Sequence, residues 1–115
     1  MSKEHTELDL AAIRRTLEEE LQALSDTSAA AADERRPVEL DQQSVGRLSR
    51  MDALQVQAMA QALEGRRQAR SQRVRAALKR LDEDEFAICG ECGEDIPADR
   101  IATDITVARC ITCSR

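Results

Sequence analysis

The chain has 115 residues, a formal net charge of −5, a single aromatic side chain, Phe86, and no Trp or Tyr. That length allows one modest domain, or a helical element carrying a small stapled module, and the near absence of aromatics excludes a core built on bulky central side chains. No apolar run is long enough to cross a bilayer, and Lys3, Glu4, His5, Glu7 and Asp9 stand where a secretory signal needs an apolar core, so a cytoplasmic protein without a membrane partner is expected.

The charge is unevenly spread: residues 1–45 carry 5 basic and 11 acidic side chains, residues 46–81 carry 9 and 2, and residues 82–115 carry 3 and 9. Ala, Leu, Glu, Gln and Arg dominate residues 8–81, the composition of long helices and coiled coils. Leu10, Ile13, Leu17, Leu21 and Leu24 form one apolar stripe at helical spacing, with Glu18, Glu19 and Glu20 on its flank. Ser25-Asp26-Thr27-Ser28 then favours a cap or turn, Ala29 to Ala32 can resume a helix, and Pro37 disfavours its continuation through Arg36. The first helix is therefore expected over about 8–35 and a tip over about 36–48.

A second helix is expected over about 49–82, opened by a capping box of Ser49 and Asp52, with an earlier start near Ser44 as the alternative. At roughly 1.5 Å per residue its 33 or so residues would span about 50 Å. Met51, Leu54, Ala58, Met59, Ala62 and Leu63 make one apolar stretch and Val74, Ala77, Leu78 and Leu81 another, interrupted by Arg66, Arg67, Arg70 and Arg73. A long helix with an apolar stripe needs a partner, and the acidic first helix is the neighbour of opposite charge. The expected fold is mainly α: a long antiparallel helical hairpin of the coiled-coil kind over 1–82, in which some of those arginines pair with the first helix. Asp82-Glu83-Asp84-Glu85 puts four carboxylates beside the negative end of the helix dipole and reads as a stop.

Residues 83–115 hold the strongest chemical signal, Cys89-x2-Cys92-x17-Cys110-x2-Cys113. Each Cys-x2-Cys turn aims two sulfurs at one centre, and two such turns complete the tetrahedral thiolate shell of a structural zinc site. Two disulfides would require an oxidising compartment, and a thioredoxin-like pair would require a βαβ surround, so the spacing favours zinc over both. Four cysteines fill the coordination shell, so the zinc is expected to be a staple with no open position for a catalytic water. Gly93 supplies a residue suited to positive φ after Cys92, and Ile88, Ile96, Ile101, Ile105 and Val107 offer a miniature core. Pro97 is placed to open a helical turn.

The string from Phe86 to Pro97 (FAICGECGEDIP), the second cysteine pair, the acidic-then-basic helices before them and LDQQSVGRLSRMDALQVQAM between Leu40 and Met59 together resemble the DksA/TraR family of bacterial transcription regulators. The match is sharpest at Cys89, Cys92, Gly93, Ile96, Arg100, Ile101, Cys110 and Cys113; Ile105 stands where the family often has proline. The resemblance implies a non-catalytic, monomeric protein that binds RNA polymerase and inserts its helical hairpin through the secondary channel. At the tip the family's Asp-x-x-Asp-x-Ala motif is absent, and Asp41, Asp52 and Ala53 are the candidate substitutes. The resemblance also implies the nucleotide ppGpp as a ligand, with Arg73 at one of the family's basic contacts. Asp104 and Ser114 occupy the other two, so weak or absent ppGpp dependence is expected. The alternatives are a nucleic-acid-binding zinc finger and a redox-sensing zinc adaptor. Direct DNA binding is disfavoured because Arg100 and Arg109 face Glu91, Glu94, Asp95, Asp99 and Asp104 in the module, with no stacking aromatic beyond Phe86.

Overall fold

The computed structural model describes residues 8–36 and 47–114. Helix α1 spans Leu10–Ala30 and is followed by a 3-10 turn, Ala32–Arg35; α2 spans Arg47–Asp82 and α3 spans Ala98–Thr103. The fold is mainly helical, and the β structure among the described residues is the isolated antiparallel bridge between Ile88 and Asp95. At about 1.5 Å per residue the 36 residues of α2 give a helix of about 54 Å.

Both long helices differ in detail from their sequence expectation. Asp9 caps α1: its Oδ1 accepts the Ala12 backbone N–H at 3.0 Å while its carbonyl accepts that of Ile13 at 3.0 Å. The Ser25–Ser28 cluster does not interrupt α1, which runs on to Ala30. The expected capping box of Ser49 and Asp52 is overturned, because α2 already begins at Arg47 and both residues lie inside it. Nothing between Gly46 and Ser49 breaks a helix, so the regular backbone ladder forms upstream of the side-chain pattern that mimics a cap.

Two compact units make up the chain, one comprising Met1–Gln22 with Ser71–Arg115, the other Ala23–Arg70. In the first, Leu17 of α1 and Val74, Ala77 and Leu81 of α2 are buried, the last three spaced by 3 and 4 on one helical face. Arg14 pairs with Asp82 at 2.8 Å, so the start of α1 lies against the end of α2 as an antiparallel pair requires. The same unit's core continues into Phe86, Ala87, Cys89, Ile96 and Ile101, with Ile96 and Ile101 almost wholly buried. Of the five aliphatics expected to form that miniature core, Ile88, Ile105 and Val107 are only half-buried.

In the second unit the helices are joined by polar contacts centred on Glu64. Its carboxylate accepts hydrogen bonds from Gln68 Nε2 at 2.7 Å and Arg67 Nε at 3.0 Å and lies 3.2 Å from Arg35 Nη1. The bond from Gln68, followed by those from Ser28 and Arg67 and the charge of Arg35, holds the Glu64 carboxyl down to about 2, so the cluster keeps its charge in mild acid. Gln57 Nε2 donates to the Arg36 carbonyl. Ser28 and Arg36 thus meet Glu64 and Gln57 in descending order, the signature of antiparallel chains. Arg67, one of the four arginines of which some were expected to pair with the first helix, pairs with Glu64 of its own helix, and Arg35–Glu64 sets the base on the first half and the acid on α2. Of the apolar stretch in this unit, Met51, Leu54, Met59 and Leu63 stay exposed and Ala60 is buried, since a two-helix layer can cover only one face of α2.

Candidate metal centre

The end of α2 positions the first cysteine pair. Glu85 N–H donates to the Arg80 carbonyl at 2.8 Å and Asp84 N–H to that of Leu81 at 3.4 Å, with Asp84 at φ 56°: a Schellman cap that turns the chain out of the helix. The acidic run thus acts as the stop expected of it. Ile96 N–H donates to the Ala87 carbonyl and Cys89 N–H to that of Glu94, both at 2.8 Å, closing a small loop around Cys89 and Cys92. Gly93 turns that loop at φ 76°, bonded through its N–H to the Cys89 carbonyl at 3.0 Å; the left-handed conformation is the one for which glycine was expected there. Helix α3 starts at Ala98 with Pro97 as its extended N-terminal neighbour, one residue off the expected first helical position. It buries Ile101 and leads the chain back to Cys110 and Cys113.

The four sulfurs lie within 4.8 Å of one another, with Cys92 Sγ and Cys110 Sγ 3.7 Å apart, and all four cysteines are free. Cys89 is buried, Cys92 exposed, and Cys110 and Cys113 half-buried. Backbone N–H groups of Cys92 and Cys110 hold the Cys89 thiol down to about 6, whereas crowding by Cys110, Cys89 and Cys92 pushes the Cys113 thiol up to about 12. Four thiolates at this separation repel one another unless a cation sits among them. The arrangement can hold a metal ion, which would both neutralise that repulsion and crosslink the two loops.

Two arginines lock the cysteine loops in place. Arg100 of α3 donates from Nε to the Arg109 carbonyl at 3.0 Å and from Nη2 to Ser114 Oγ at 2.9 Å, and Ser114 Oγ donates to the Cys110 carbonyl at 3.0 Å. This bracket encloses the second cysteine pair. Arg80, in the last turn of α2, donates through Nη2 to the carbonyls of Thr106 and Val107 at 3.2 and 3.3 Å, and burial lowers the proton affinity of its guanidinium. Arg80 thereby ties the long helix to the segment that delivers Cys110. Replacing it with Ala leaves two carbonyls without this donor, and a loss of about 1.5–3 kcal/mol is expected, read as a lower chemical-denaturation midpoint of the metal-loaded protein. An unchanged midpoint would show that water satisfies those carbonyls equally well.

Of the other sequence candidates, Arg73 is exposed on α2 and lines a shallow cavity of about 310 Å³ with Asp104, Thr106, Val107, Ala108, Arg109 and Ser114. The three positions compared with the family's nucleotide contacts are therefore neighbours. Asp104 Oδ1 accepts the Thr106 N–H at 3.0 Å and hydroxyl at 2.7 Å, Ser114 is held by Arg100, and Arg109 pairs with Glu91 at 3.3 Å. Asp52 is exposed and Ala53 half-buried in the second turn of α2, both in the unit Ala23–Arg70; Asp41 lies outside the described residues. Sequence reasoning missed the cap at Asp9 and the anchor at Arg80. The cap was legible as an acidic residue just before the apolar stripe, whereas Arg80 reaches acceptors 26 and 27 residues away and leaves no local signal.

No protein-family model and no curated protein matches the chain. Among solved structures it is similar to transcription factor DksA2 from Pseudomonas aeruginosa, with a TM-score of 0.70 and 20% sequence identity over 91% of this chain and 79% of that one. The chain thus has a DksA-like fold, with four cysteines grouped so that they can hold a metal ion.

Proposed function

We propose that this protein is a non-catalytic regulator of transcription that binds RNA polymerase through its secondary channel as a cytoplasmic monomer, with one structural zinc ion. The observation that carries the reading is the similarity of fold to a transcription factor over 91% of the chain. The long α2 and the overall charge of −5 are consistent with it: a long helix suits a pore, and a net negative surface is repelled by bulk nucleic-acid phosphate. Zinc is the ion that suits four thiolates. A tetrahedron with Zn–S bonds of about 2.3 Å has edges of about 3.8 Å, and Cys92 and Cys110 are 3.7 Å apart. Cys89, Cys92, Cys110 and Cys113 would hold it, and its contribution is cohesion, since no coordination position is left for substrate.

Asp52, together with Asp41 and Ala53, is the proposed polymerase-facing set. The failure of the capping box removes the competing structural account of Asp52, whose carboxylate is exposed. Arg73 is the remaining candidate for a ppGpp contact, and the carboxylate of Asp104 beside it supports weak dependence on that nucleotide. Co-purification of the wild-type chain with core RNA polymerase, with Asp41→Asn and Asp52→Asn in parallel, tests the reading. The wild type and both variants are expected to bind, and the variants to lose regulation in a reconstituted transcription assay that changes little on adding ppGpp. A wild type that does not bind polymerase would remove the central claim; variants that regulate normally would remove only the tip assignment.

A further inference from the structure

The half of α2 in the second unit carries two seams of side chains, one position apart in the sequence. Ala53, Gln57, Ala60, Glu64 and Arg67 form the sheltered seam, each of them buried or half-buried, and apart from its two alanines that seam is polar. Asp52, Val56, Met59, Leu63 and Arg66 form the other, with the same helical spacing of 4, 3, 4 and 3, and every one of them is exposed. Val56, Met59 and Leu63 are 61, 67 and 46% exposed. A helix ordinarily turns its apolar side inward, whereas here the more apolar seam faces out. Five of the seven large hydrophobic side chains exposed among the described residues lie between Met51 and Leu63. Apolar surface concentrated in this way marks an interaction site, unlike single hydrophobic residues scattered over a surface.

The order of charges along the exposed seam identifies its occupant. Asp52 and Arg66 each stand seven residues, about 10.5 Å, from Met59, the acid on one side and the base on the other. A two-fold axis at Met59 sets a second copy of the helix antiparallel to the first, so that Asp52 of each copy faces Arg66 of the other. Met59 then meets Met59, and Val56 meets Ala62 and Leu63. The seam is complementary to itself, as an isologous interface must be. A parallel pair in register sets Asp52 against Asp52 and Arg66 against Arg66, and like-charge repulsion disfavours it.

We infer that α2 pairs with α2 of a second copy of this chain, antiparallel about Met59. At about 21 Å by 10 Å the seam is well below the roughly 800 Å² per partner of a stable interface, so the pairing is weak and follows concentration. Pairing covers Asp52, which makes the unpaired chain the form that presents the proposed polymerase contact; the self-association itself does not rest on that reading.

Sedimentation velocity of the full-length, zinc-loaded chain tests the inference. The wild type is expected to shift from monomer at about 5 µM toward dimer at about 500 µM. Met59→Glu brings two carboxylates together at the axis and is expected to stay monomeric throughout; Met59 is exposed, and an unchanged circular dichroism spectrum reports an intact helix. Asp52→Arg and Arg66→Asp each set like charges opposite one another and are expected to weaken pairing about tenfold, while the double variant, which exchanges the charges, is expected to restore it. A wild type still monomeric at the highest concentration would overturn the inference, as would Met59→Glu dimers as strong as those of the wild type. A double variant no stronger than the single ones would overturn the antiparallel register. None of these readouts involves polymerase, so they succeed or fail separately from the polymerase reading.

Discussion

Removing the metal is expected to unfold the cysteine module while leaving much of the helical signal in place. The module following α2 has one six-residue helix, one isolated β-bridge and a core reduced to Phe86, Ala87, Ile96 and Ile101, too little apolar burial to offset the entropy of ordering about 30 residues. Structural zinc supplies on the order of 10–16 kcal/mol of apparent binding free energy in small four-ligand modules, so the loss of the proposed zinc would exceed any single side-chain effect in this chain. Hydrogen exchange after treatment with a strong chelator should show loss of protection over 86–113 and retention over the body of α1. Protection that survives chelation would mean that the module folds on its packing alone.

The same chemistry sets a pH dependence. Binding requires thiolates, and Cys113 is pushed up to about 12 by its sulfur neighbours, so it is protonated at neutral pH when no metal is present. Metal binding must expel that proton, and affinity is expected to rise with pH through neutrality into the alkaline range, by about tenfold per pH unit for each proton released. Cys89, held down to about 6 by the N–H groups of Cys92 and Cys110, adds to the slope only below that value. Titration of the apo-protein with zinc at several pH values measures the slope; a flat profile would contradict the assignment.

Leu17→Ala is expected to cost about 3 kcal/mol, within the range of 2–5 for fully buried leucines. Leu17 is completely buried, in the same unit as the buried Val74, Ala77 and Leu81 of α2. Against a total stability of about 5–15 kcal/mol this is a large fraction, and the urea midpoint should fall accordingly. Met59→Ala provides the contrast: Met59 is 67% exposed, and its truncation should stay within about 0.5 kcal/mol. Similar costs for the two would mean that the periodic stripe of α1 does not define the core.

Local pattern and spacing determined a good deal about this chain. The stripe from Leu10 to Leu24 requires a helix because only the α-helical period places those side chains on one face. The cysteine spacing of 2, 17 and 2 requires two turns that converge, and the structure brings all four sulfurs within 4.8 Å. Positive φ at Gly93 and the stop after Asp82 were likewise legible, because each depends on the intrinsic preferences of one or two residues.

Only the tertiary structure decided which apolar residues are core, where α2 begins and what the charges meet. Val74, Ala77 and Leu81 are buried while Met51, Met59 and Leu63, equally apolar and on the same helix, are exposed, because burial depends on what lies opposite and not on the side chain itself. The Ser49–Asp52 pattern is the local signature of a cap, yet α2 starts upstream of it; a sequence pattern can permit a cap but cannot stop a helix that has no breaker before it. Arg67 found Glu64 on its own helix and Arg80 found carbonyls 26 and 27 residues away. A flexible cation carries no record of its partner in its sequence neighbours, since Coulomb attraction and hydrogen bonding act through space once the backbone has chosen its path.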